Sequence, residues 1–125
     1  MPPVIALVDD LLFASRIREA ARGAGVEVRT LRRSEEVSAA LRAGSPLLLV
    51  DADSDRLQWA ETIAAVRADA SLAAVPIVAF FSHVHADRAA AARAAGASRT
   101  LARSAFVQEL PRLLAAAAPS EEKTP

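Results

Sequence analysis

Five aspartates stand where short apolar runs end. Asp9 and Asp10 follow Val4-Ile5-Ala6-Leu7-Val8, and Asp51 follows Leu47-Leu48-Leu49-Val50, with Asp53 and Asp55 at alternate positions after it. A carboxylate can serve as a nucleophile, a general base or a ligand for a hard cation. Several brought together repel one another and raise each other's pKa unless a cation relieves them. The rest of the reactive inventory is small. Without Cys there are no disulfides, thiolate metal sites or cysteine nucleophiles. His83 and His85, the only histidines, have a spacing that two metal ligands can use, but they read as solvated loop residues. Of the 15 Lys and Arg residues only Lys123 is Lys, so a mechanism that needs a lysine in the folded body has none.

The intervening segments must place these acids. Val4–Val8 is a continuous apolar run, as in a strand buried on both faces. Leu11 to Arg22 has helical period, with Phe13, Ile17, Ala20 and Ala24 on one face and Gly23 and Gly25 as its stop. Val26 to Leu31 alternates like a strand with one wet face. Ser34 is placed to cap a helix through Arg42, with Glu35 and Glu36 in its first turn, and Gly44 ends it. Leu47 to Val50 is a third strand and Leu57 to Ala68 a helix. Pro76 opens the strand Ile77 to Phe81, and Ala86 to Ala95 is a helix almost wholly of Ala and Arg. Thr100 to Ala102 is a short fifth strand, and a last helix runs from about Ala105 to Ala118. Pro111 argues for a late start of that helix, near Val107, or for a kink.

Five β-then-α units in succession predict an α/β fold: a flavodoxin-like three-layer α/β/α sandwich with a five-stranded parallel sheet of order 2-1-3-4-5. Residues 1–118 form one domain on this reading, and 119–125 a polar, disordered tail. In such sheets ligands sit beyond the C-terminal strand ends where the order reverses, between strands 1 and 3. Asp9, Asp10 and Asp51 are thereby expected in one crevice, with Asp53 and Asp55 near it. A divalent cation such as Mg²⁺ suits a few carboxylates plus waters.

Val8-Asp9-Asp10, Leu48-Leu49-Val50-Asp51, Pro76-Ile77-Val78 and Gly96-Ala97, in this order and spacing, resemble the receiver domain of two-component response regulators (CheY-like) over about residues 4 to 116. The resemblance implies a phosphoacceptor at Asp51, which takes a phosphoryl group from a sensor kinase's phosphohistidine, and a Mg²⁺ site at Asp9, Asp10 and Asp51. It implies a histidine kinase or phosphotransfer protein as partner. The metal would neutralise charge building on the phosphoryl oxygens.

Several positions depart from the family. Where it has Ser or Thr at the end of strand 4, this chain has Phe81, with Ser82 one step on; a one-residue slip in a strand reverses the face of the side chain. The family's Lys after strand 5 is replaced by Arg103, longer, planar and forked. The aromatic switch position of strand 5 is Thr100. Asp53 adds a carboxylate two residues from the acceptor, where it would repel an incoming phosphoryl group. These departures predict an atypical or pseudo-receiver, non-enzymatic, acting through protein contacts with weak or no phosphorylation; the single domain predicts a stand-alone protein, and the absence of Cys, a span or a signal peptide a cytoplasmic one. The helix 4–strand 5–helix 5 face, with Arg88, Arg93, Arg99 and Arg112, is the expected output or homodimer surface. A functional phosphoacceptor at Asp51 in a phosphorelay is the alternative.

Asp51-Ala52-Asp53 also resembles the first motif of haloacid-dehalogenase-type phosphohydrolases, but it lies on the third strand rather than the first. A calcium loop beginning at Asp51 fails at Arg56 and Thr62, where Gly and Glu are needed. Lys+Arg and Asp+Glu both number 15, and this zero net charge argues against nucleic acid as a partner. The small basic patch of Arg29, Arg32 and Arg33 reads as solvated surface. No apolar run is long enough for a membrane span, and Met1-Pro2-Pro3 does not open a signal peptide.

Overall fold

The computed structural model describes residues 2–82 and 86–118. His83, His85 and the expected tail at 119–125 lie outside them. Strands and helices alternate: β1 (Val4–Leu7), α1 (Leu11–Ala24), β2 (Val28–Leu31), α2 (Val37–Arg42), β3 (Leu48–Asp51), α3 (Trp59–Ala68), β4 (Ile77–Phe81), α4 (Ala86–Ala95), β5 (Arg99–Ala102) and α5 (Arg103–Ala117). All strand pairs are parallel, in the order β2-β1-β3-β4-β5. This is the expected flavodoxin-like sandwich.

Alternation along each strand divides the core in two. Ile5, Leu7, Leu48, Val50, Ile77, Ala79 and Phe81 pack with Leu41, Ile63, Val66 and Ala92 on the α2, α3 and α4 side. Val4, Ala6, Leu49, Val78 and Phe80 pack with Phe13, Ile17, Phe106, Leu110 and Leu114 on the α1 and α5 side. Phe80 stacks on Phe106 with ring centres 4.2 Å apart. Both faces of the sheet are dry, which is why the central strands read as unbroken apolar runs.

Local details differ from the sequence reading. Helix α1 runs through Gly23 and stops only at Gly25, whose φ of 70° is left-handed and whose N–H closes on the carbonyls of Ala21 and Arg22. Gly is the residue for that conformation, whereas a lone Gly inside a helix is only weakly unfavourable. Ser34 makes no cap bond; Ser34–Glu36 is a 3₁₀ turn leading into α2. A second 3₁₀ turn, Asp55–Leu57, precedes α3, with Gln58 left-handed at φ 49° between them. Helix α5 starts at once after β5, at Arg103, so Pro111 lies inside it. Proline withholds an N–H from the preceding turn. The helix continues because Phe106, Leu110 and Leu114, four residues apart, are all buried on the sheet.

Candidate functional site

The C-terminal ends of β1 and β3 carry the predicted acids, and each is engaged differently. Asp10 is the N-cap of α1: its Oδ1 accepts from the N–H groups of Leu12 and Phe13 at 2.9 and 3.2 Å. These bonds, Phe13's foremost, lower its pKa. Asp9 is held by the β3–α3 loop. Arg56 donates to it from Nε at 3.0 Å and from its terminal NH2 nitrogen, and the Ser54 hydroxyl donates at 2.9 Å. Arg32 stands 3.6 Å away. The Arg56 hydrogen bond, more than any other contact, brings the Asp9 pKa down to about 2. Arg32 is thus part of an ion cluster rather than plain solvated surface, and Arg56 is a site residue that sequence reading missed. Its only signal was its place in the loop after Asp51.

Asp51 closes β3 and is 2% exposed. Its Oδ1 accepts the Asp53 N–H at 2.9 Å, and its Oδ2 faces Arg103 at 3.6 Å. Burial outweighs these contacts and pushes its pKa up. Asp53 bridges the β4–α4 loop and the start of α5: Oδ1 accepts the Ser82 N–H at 2.8 Å, and Oδ2 lies 3.2 Å from Arg103 Nε.

Arg103, the first residue of α5, is the centre of the arrangement. Its guanidinium is stacked over Phe13, 4.3 Å from the ring centre, and faces Asp10, Asp51 and Asp53 together. Nε is shielded from solvent and has no aligned hydrogen-bond acceptor, so its contact with Asp53 is an ion pair. The guanidinium thus neutralises part of the carboxylate repulsion from within the chain.

The acids do not fit a divalent cation in this arrangement. Among the described residues no three His, Asp or Glu side chains converge as a metal-binding group. Asp9 is committed to Arg56, Asp10 to the α1 backbone, and the remaining carboxylate oxygens face Arg103.

The other predicted positions resolve as follows. Phe81 points into the α3–α4 core and not into the crevice. Its neighbour Ser82 contributes its backbone N–H to the cluster. Thr100 is half-buried on β5 and accepts a hydrogen bond from Arg93 at 2.9 Å. Of the expected output arginines, Arg88 turns inward. It donates to the Ala52 carbonyl and to Asp55 Oδ1, both at 2.8 Å, and its side chain is 19% exposed. Arg99 pairs with Glu109, and Arg112 is exposed. Beside the cluster, α1 and α5 border a cavity of about 570 Å³ lined by Leu12, Phe13, Arg16, Arg103, Val107 and Gln108. Leu12 of that lining is 85% exposed, and its chain neighbour Leu11 is 61% exposed.

No family model matches the sequence, and none of the curated proteins matches it. Solved structures do. A response regulator protein from Burkholderia multivorans is 25% identical, with a TM-score of 0.73 over 96% of this chain and 98% of that one. A response regulator from Hahella chejuensis is 19% identical, with a TM-score of 0.82 over 96% and 97%. The Mn²⁺-bound form of the response regulator Rcp1 is 16% identical, with a TM-score of 0.73 over 100% and 97%. Divalent metal binding therefore occurs among proteins of this fold. No helix among the described residues is long and apolar enough to cross a membrane. By its strand order and these neighbours, the chain has the flavodoxin-like CheY fold of response-regulator receivers.

Proposed function

We propose that this domain serves two-component signal transduction as an atypical receiver, working through protein–protein contacts with little or no phosphorylation of Asp51. The observation that carries this reading is the Arg103 guanidinium seated among Asp10, Asp51 and Asp53. A phosphoryl group on Asp51 would have to displace that cation or share it with two other carboxylates. Position 81, where the family has a hydroxyl, presents a phenyl ring to the core. Mg²⁺ is not needed to neutralise the cluster, because the chain supplies its own cations.

The contact surface we assign is the α4–β5–α5 face with Arg93, Arg99 and Arg112, without Arg88. A partner protein or a second copy of the chain would meet it there. Leu11 and Leu12 add an exposed apolar pair at the start of α1, of the kind that protein contacts use. The reading is non-enzymatic: Asp53, the general acid that a phosphohydrolase would need, is ion-paired to Arg103.

A second reading keeps Asp51 as the acceptor of a phosphoryl group from a histidine kinase or phosphotransfer protein. It is favoured by the positive charge retained 3.6 Å from Asp51 Oδ2. Intact-mass measurement after incubation with acetyl phosphate and Mg²⁺ separates the two. The expected result is an unmodified chain. A stoichiometric phosphoryl adduct that disappears in Asp51→Asn would establish the second reading in its place.

A further inference from the structure

We propose that Asp53 is a built-in anion: its carboxylate permanently fills the place between the end of β4 and Arg103 that a bound oxyanion would otherwise take. Two contacts define that place. Ser82 is the first residue past β4, and its N–H has left the sheet ladder; Asp53 Oδ1 takes it at 2.8 Å. Arg103 opens α5 with its Nε 3.2 Å from Oδ2. One carboxylate therefore joins three segments, its own β3–α3 loop, the loop following β4 and the first residue of α5.

The neighbouring contacts extend the same tie. Arg88, on α4, binds the carbonyl of Ala52 and the carboxylate of Asp55, the residues before and two after Asp53. Helix α4 needs such contacts. Ala92 is its one buried side chain among those described, so apolar packing anchors it weakly. Asp53 thus holds the β4 end, and Arg88 the helix, without any exogenous ligand. The ion pair with Arg103 is poorly aligned, since Nε has no properly directed acceptor. A tetrahedral oxyanion free of the backbone suits a guanidinium fork and a nearby N–H better. Covalent attachment makes Asp53 the occupant despite that poorer fit, because it pays no translational entropy on binding.

The inference deepens the reading of a site that works without phosphoryl transfer, and it is tested with no phosphodonor present. Amide exchange of the ¹⁵N-labelled full chain is followed at Ser82, together with the Arg103 Nε–H resonance, in wild type and in Asp53→Ala. Each is titrated with sodium sulfate against sodium chloride at matched ionic strength. In wild type the Ser82 amide is protected and sulfate produces no saturable shift. In Asp53→Ala its exchange accelerates about tenfold, as expected for the loss of one charge-assisted hydrogen bond. Sulfate then shifts both resonances saturably and slows the exchange again.

Three results overturn the proposal: unchanged protection of Ser82 in Asp53→Ala, no saturable sulfate response in that variant, or an equal response in wild type. Should Asp53→Ala fail to fold, Asp53→Asn removes the charge while keeping an acceptor oxygen. It must then show the saturable sulfate response that wild type lacks, or the proposal falls. A phosphoryl adduct on wild-type Asp51 would sink only the functional reading above.

Discussion

Arg103 sits over the face of Phe13, its guanidinium carbon 4.3 Å from the ring centre. The ring holds the guanidinium carbon in place, and with it the nitrogens that face the carboxylates at the ends of β1 and β3. A lysine in the same place would bring charge without the planar fork. Phe13 is itself held by Phe80 and Phe106, at ring-centre distances of 5.0 and 5.8 Å. The cation is therefore positioned by the core rather than by solvent.

Removing this cation leaves three carboxylates facing one another. Arg103→Ala is expected to lower stability by about 1–3 kcal/mol, the range for a partly buried charged hydrogen-bonding group. The low end is favoured because the side chain is 31% exposed. Arg103→Lys restores part of the loss, since the charge returns without the stack. Urea unfolding of the three proteins measures the order; equal stability of wild type and Arg103→Ala would contradict it.

The two acids Asp9 and Asp51 have opposite pH signatures. The folded pKa of Asp9, about 2, lies below its ordinary 3.8. Its ion pairing therefore stabilises the fold above pH 4, and this contribution is lost as pH falls from about 4 to about 2. Asp9→Asn removes that part of the acid sensitivity. The pKa of Asp51 is raised by burial, so its charged form opposes folding at neutral pH, and stability recovers as the group protonates. Asp51→Asn is expected to be more stable than wild type at pH 7, with the advantage shrinking in acid. Denaturation midpoints from neutral pH down to about pH 2 check both signs.

Arg67 ties α3 to the turn after α4. It donates to the carbonyls of Gly96, Ala73 and Val75 at 2.7, 3.1 and 2.8 Å, and to the Ser98 hydroxyl at 3.0 Å. Gly96 has φ 125°, and a Cβ there would overlap the Arg67 side chain. Gly96→Ala is expected to cost about 2–4 kcal/mol, from backbone strain and steric overlap together. Arg67→Ala costs about 1–2 kcal/mol by removing charge-assisted hydrogen bonds to half-buried and exposed carbonyls. Thermal unfolding reads both, and a shift within error for Gly96→Ala would refute the packing argument.

Arg88→Ala tests what holds α4. With its links to Ala52 and Asp55 gone, the helix depends on Ala92 and on its C-terminal turn. Amide exchange in α4 should accelerate about tenfold or more while that of β1 and β3 stays unchanged. A uniform acceleration across the sheet would mean that Arg88 acts on global stability instead.

Much of this was legible in the residues alone. The alternation of apolar runs with helical segments determined a doubly wound parallel sheet, because strand and helix periodicities are local and each run must bury its apolar atoms. The same reasoning put Asp9, Asp10 and Asp51 at the C-terminal edge. Helix starts and stops were less legible. Burial at Phe106, Leu110 and Leu114 carried α5 past Pro111, and Gln58 took a left-handed conformation that its type does not suggest. Of the cations at the acids, Arg103 alone was indicated beforehand, by the receiver resemblance; Arg56 and Arg88 were not. Arg56 reaches Asp9 across 47 positions of chain, and Arg88 reaches Ala52 across 36. Arg103 meets Asp51 only because Phe13, Phe80 and Phe106 pack where they do. Charge pairs of that range follow from register and side-chain packing, which no local pattern encodes, so only the tertiary structure decided that Arg56 and Arg88 turn to the acids and that Arg103 is shared by Asp10, Asp51 and Asp53.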